Sequence, residues 1–103
     1  MNPKKKIRHD FRESVFLRDN HTCVMCGNTE ELDAHHITDR NEMPNGGYVI
    51  ENGISLCPDC HSKAELWHET DGDNFIIGFT PYDLYEKIGA SYQLAYKKSM
   101  RLE

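Results

Sequence analysis

At 103 residues the chain is long enough for one compact domain and too short for two of ordinary size. No apolar run follows the opening lysines, and nothing approaches the roughly 20 apolar residues a spanning helix requires, so the expectation is a soluble, intracellular protein with no membrane partner. The formal charge of −5 speaks against binding a polyanion by bulk charge alone. Its distribution is uneven: six basic residues (Lys4, Lys5, Lys6, Arg8, Arg12 and Arg18) face only Asp10 and Glu13 in the first 18 positions, giving +4 there and −9 elsewhere. A basic arm on an acidic body is expected, either as a solvated tail or as a phosphate contact.

Residues 1–9 read as that flexible basic arm. Asp10 and Glu13 then offer a capping box for a short helix over about 10–18, with Phe11 and Val15 four apart on one buried face. A turn-rich knuckle containing Cys23 and Cys26 follows. The runs "LDAHHI" and "YVIENGISL" are β-prone and are separated by the loop "TDRNEMPNGG". In "CPDCHSKAELWHE", Pro58 and Asp59 suit a first helical turn. The order is strand, loop, strand, helix, over a domain spanning 10–70.

Residues 71–103 form an expected C-terminal extension. "TDGDN" ends the preceding helix in a turn, and "FIIGF" suits a short strand or extended packing segment. Asp71 and Asp73 are assigned to turn chemistry, since no EF-hand loop surrounds them. Beyond Thr80, Pro81 and Asp83, the residues Leu84, Ile88, Tyr92 and Ala95 repeat at helical spacing through Gly89, which predicts one helix packed on the domain with its tyrosine stripe in the core.

Cys23 with Cys26 and Cys57 with Cys60 form two C-x-x-C pairs. Such pairs converge on one ion and complete the closed tetrahedral four-thiolate site that structural zinc prefers. A redox C-x-x-C normally stands alone near a βαβ pattern, so structural zinc is the assignment. It would clip the start of the ββ unit to the following helix.

Around these cysteines, "CVMC", "AHHI", "ENGISLC" and "CPDCH" occur in order between Phe16 and Glu65, and this stretch resembles the HNH endonuclease family. The resemblance implies an α+β fold: a small zinc-stapled ββα-metal (His-Me finger) domain with flanking N- and C-terminal helices. It implies that His36 is the general base, that His35 and His61 are ligands of a catalytic divalent cation, and that Asn52 orients the base through loop backbone or, as in some relatives, ligates the metal. Glu65 stands where many members carry another His ligand. A carboxylate there suits a hard cation, and a solvated helix glutamate is the alternative. An imidazole pair leaves the ion open among Mg²⁺, Mn²⁺, Ni²⁺ and Zn²⁺. His9 and His21 are left out of the site, and His68 is assigned to the surface.

The implied activity is hydrolysis of DNA phosphodiesters with 5′-phosphate and 3′-hydroxyl products, by a monomer that nicks or a homodimer that cuts both strands. A phage or mobile-element role suits a domain this small. Arg40, Lys63 and the arm residues Lys4, Lys5, Lys6 and Arg8, together with Lys97, Lys98 and Arg101, are candidate backbone contacts. Two other classes compete: a zinc-knuckle nucleic-acid binding module without catalysis, and a small redox or metal-handling protein.

Overall fold

The computed structural model describes residues 2–102; Met1 of the expected arm and Glu103 of the expected extension lie outside the described residues. The first helix, α1, runs Pro3–Arg18 and so takes in residues expected as a flexible arm. Its start is set by Asn2, whose side chain accepts from the Lys5 N–H at 2.9 Å, and by Pro3 in the first turn, where the missing N–H costs nothing. Asp10 and Glu13 therefore lie inside the helix, and no capping box forms there; Asp10 instead pairs with Lys6 at 2.8 Å. Phe11 and Val15 are buried on one face as the four-residue spacing requires.

Two short strands, β1 (Asp33–His36) and β2 (Gly53–Leu56), pair antiparallel, with His35 opposite Ile54 and His36 opposite Gly53. The second β-prone run shrinks because Ile50–Asn52 turns through a 3-10 segment before the strand begins. Gly53 lets α1 approach β2 closely: a Cβ there would lie 2.5 Å from Val15 Cγ2 and 2.7 Å from Phe11 Cζ.

Helix α2 (Pro58–Glu69) follows at once, with Pro58 in its first turn as its sequence suggests. "FIIGF" forms no strand. The chain turns there, the Phe79 N–H bonding to the Ile76 carbonyl, and Ile77 is 90% exposed, so nothing buries an apolar strand face. Two helices rather than one end the chain: α3 (Pro81–Lys87) and α4 (Tyr92–Met100). The capping box lies at Thr80 and Asp83. Gly89 takes φ +70° and the Ala90 N–H closes back on the Tyr85 carbonyl at 2.9 Å, a glycine-terminated stop that interrupts the helical period.

One core holds these parts together. Ile37, Ile54 and Leu56 from the ββ unit meet Ala64 from α2, Leu84 and Tyr85 from α3, and Ala95 from α4. Tyr92, expected in the core, is instead about two-fifths exposed, because the break at Gly89 turns its face outward. No helix among the described residues is long and apolar enough to cross a membrane. The architecture is a small α+β ββα-metal domain with flanking helices.

Candidate metal and catalytic centre

The four cysteines converge as their spacing requires. Their sulfurs lie within 4.8 Å of one another, with Cys26 Sγ and Cys57 Sγ 3.5 Å apart. Four sulfurs at about 2.3 Å from a tetrahedral zinc would stand roughly 3.8 Å apart, so the donor set fits. Burial raises the Cys23 thiol, but the N–H groups of Cys57, Cys26 and Met25 outweigh it and bring it to about 7, while burial and the neighbouring thiols push Cys60 upward. Four thiolates cannot share this space without a cation, and the cluster can hold a zinc.

A second group forms where β1 faces α2. His61 and Glu65 stand four apart on one helix face, and His35 points at them from the strand. Glu65 Oε1 is 3.2 Å from His35 Nδ1 and 3.1 Å from His61 Nε2. A cation bound at about 2.1 Å with neighbouring ligands at right angles separates its donor atoms by roughly 3.0 Å, which these distances match. His35 is 3% exposed, and its Nδ1 has no aligned hydrogen-bond partner among the described residues despite the close carboxylate. This buried nitrogen, the carboxylate oxygen and the His61 ring together form a donor set that could hold a metal. Contact with His35, ahead of the opposing burial, holds the Glu65 carboxyl down at about 2, so it stays ionised.

His36 points to the other face of β1. Phe11 stacks on its ring at 4.5 Å, Tyr48 meets it edge-on at 5.0 Å, and its Nε2 is enclosed without a partner. Burial first, and then the charges of His35 and Arg40, lower it to about 4, which leaves the imidazole neutral near pH 7. His35, His36, His61 and Glu65 share a cavity of about 240 Å³, with Asp39 and Arg40 at its edge. A larger cavity of about 590 Å³ lies beyond His68, lined by Trp67, Tyr82 and Tyr92, and holds no comparable donor cluster among the described residues.

Asn52 is fully buried at the joint behind His36, and all its hydrogen-bonding capacity is used. Its Oδ1 accepts from the Thr38 N–H at 2.9 Å and from the Tyr85 hydroxyl at 2.7 Å, and its Nδ2 donates to the carbonyls of Thr38 and Gly47. The amide is spent on backbone and on a tyrosine.

Several site neighbours carried no sequence signal strong enough to single them out. His68, assigned to the surface, is half-buried, and its Nε2 donates to the His36 carbonyl at 3.0 Å. It could have been found as the third member of the spacing His61, Glu65, His68, which runs along one helix face. Asp33 places a carboxylate oxygen 3.6 Å from His61 Nδ1. Arg40 donates to the Tyr48 hydroxyl at 3.3 Å, and burial, which raises that hydroxyl, is outweighed by Arg40 and Arg8 together. Arg8 and Arg40 thus stand beside Tyr48, whose ring meets His36 edge-on. Lys63 pairs with Asp59 at 3.4 Å, whereas Lys4, Lys5, Lys6, Lys97 and Arg101 are exposed away from these contacts; His9 and His21 are also exposed.

Residues 23–65 match the family model described as HNH endonuclease. Neither the curated proteins nor the solved structures gave a match. The matched segment begins at the first zinc-site cysteine and ends at Glu65, so it takes in both donor clusters, His36 and Asn52. Over residues 23–65 the chain is therefore similar to the HNH endonuclease family.

Proposed function

We propose that this protein is a divalent-cation-dependent nuclease that hydrolyses phosphodiester bonds in DNA, with His36 as the general base. The observation that carries this reading is the division of labour on β1: His35 faces a three-donor cluster with His61 and Glu65, while its neighbour His36 faces the opposite side as an enclosed, neutral imidazole.

Phosphodiester hydrolysis needs a water stripped of a proton, a counter-charge on the phosphoryl oxygens and help for the departing 3′ oxygen. His36 meets the first need. Its Nε2 is enclosed, so Nδ1 is the nitrogen left to take the proton from water. Phe11 and Tyr48 hold the ring, and the Asn52 amide and His68 hold the backbone behind it. His35 Nδ1, His61 Nε2 and Glu65 would hold the divalent cation, whose chemistry is Lewis-acid stabilisation of charge on the phosphate and leaving oxygens. Asp33 beside His61 Nδ1 favours the proton on that nitrogen and a free lone pair on Nε2. Arg40 and Arg8 supply guanidinium groups for phosphate oxygens near the base. The four cysteines fix the end of β2 and the start of α2, and so the distance between His35 and His61.

Supercoiled plasmid incubated with zinc-loaded protein tests the reading. Relaxed circles should accumulate with Mg²⁺, Mn²⁺ or Ni²⁺ and not with a chelator that spares the four-thiolate zinc. A protein that binds the plasmid and leaves it intact in every metal would be a binding module instead.

A further inference from the structure

Resting on the nuclease reading above, we infer that Tyr85, outside the matched segment, is a positioning residue for His36, acting through Asn52 and Thr38. The direction of each hydrogen bond follows from the atoms present. Asn52 Oδ1 can only accept, and it already receives the Thr38 N–H. Tyr85 therefore spends its one hydroxyl proton on Oδ1 at 2.7 Å, and its oxygen receives the Thr38 Oγ1 proton, also at 2.7 Å. The chain of donors runs from the Thr38 hydroxyl through Tyr85 to Asn52.

These bonds act on the three residues that carry the base. The His36 carbonyl is held by His68, the Ile37 N–H bonds to the Asn52 carbonyl at 2.9 Å, and Thr38 is gripped by its N–H, its carbonyl and its hydroxyl. Asn52 and Tyr85 are both buried, so water cannot replace a lost partner. Helix α3 delivers Tyr85 with its neighbour Leu84 anchored in the core, and the capping box at Thr80 and Asp83 sets where that helix begins. Helix α3 is thereby part of the catalytic assembly rather than an appendage to it.

Tyr85→Phe keeps the ring and removes the donor. At matched zinc content, and at a temperature where both proteins are folded, kcat for plasmid nicking should fall roughly tenfold with KM unchanged, as expected for one lost buried hydrogen bond behind the base. Asn52→Ala should lower kcat further, and adding Tyr85→Phe to it should cost almost nothing more, since the two act in series. Independently of catalysis, the Thr38 amide should exchange with solvent at least tenfold faster in Tyr85→Phe, while amides of α2 stay as in wild type. Wild-type kcat together with wild-type Thr38 exchange in Tyr85→Phe would overturn the inference. If the wild type itself cuts no DNA, the nuclease reading falls, and the Thr38 exchange alone decides whether Tyr85 holds this loop.

Discussion

The Phe11 ring lies over the His36 imidazole with centroids 4.5 Å apart and planes inclined by 23°, so the first helix covers His36 directly. Gly53, opposite His36 across the sheet, leaves the space for this contact. Gly53→Ala would push a methyl group into Val15 and Phe11 and should cost about 1–3 kcal/mol of stability. It should also loosen the cover on His36 and raise its pKa from about 4 toward the ordinary 6.5, because burial is the main cause of the depression. Thermal unfolding and imidazole NMR titration check the two effects. Unchanged stability would mean that the helix does not bear on the strand as described.

Stability should depend on pH with a definite sign. His36 is lowered to about 4, and His35 is lowered too, chiefly by burial. Between pH 6.5 and 4 the unfolded chain therefore binds protons that the folded chain does not, so stability is full above about 6.5 and declines as pH falls toward 4. Urea unfolding at fixed ionic strength, over the part of this range where zinc stays bound, should show the decline. His36→Phe should flatten part of it.

Zinc removal should unfold the protein rather than merely inactivate it. Cys23, Cys57 and Cys60 are buried within the same core as Ile54 and Leu56. Structural zinc contributes on the order of 10 kcal/mol in small domains, comparable with the whole stability of such a fold. A strong chelator, or Cys60→Ser, should abolish the cooperative thermal transition, followed by circular dichroism. Survival of that transition in metal-free protein would contradict a structural role.

Glu65 should matter to the cation and not to the fold. Its side chain is more than one-third exposed although it touches His35, so Glu65→Gln should change stability by no more than about 1 kcal/mol. Removing its charge from the donor set should weaken Mn²⁺ binding at least tenfold by calorimetry. Glu65→His should restore binding with a shift toward softer ions such as Ni²⁺ and Zn²⁺. Equal Mn²⁺ affinity in all three proteins would remove Glu65 from the site.

Legibility in the sequence followed the range of the interaction. The two cysteine pairs and the grouping of His35, His36, Asn52 and His61 could be read because short spacings and a familiar order encode them. Helix boundaries were less legible where two cap signals competed: Asp10 and Glu13 form a plausible box, but Asn2 and Pro3 start the helix earlier. At Gly89 the helical period continues through a residue whose backbone stops the helix, which pattern alone does not reveal. Tyr48 and Tyr85 could not be found at all, because each meets the site through folding of distant segments; Tyr85 is 33 residues from Asn52. His68 lay within reach of helical spacing but resembles any exposed helix histidine until the strand is placed beside it.

The general-base assignment of His36 is the central claim, and single-turnover nicking of supercoiled plasmid tests it most directly. Wild type and His36→Ala are compared at equal zinc content with saturating Mn²⁺, with DNA affinity and thermal unfolding measured alongside. Loss of the base should slow nicking by about 10²–10⁴-fold and leave DNA affinity within a factor of a few. Equal rates for the two folded proteins in Mn²⁺, Mg²⁺ and Ni²⁺ would contradict it.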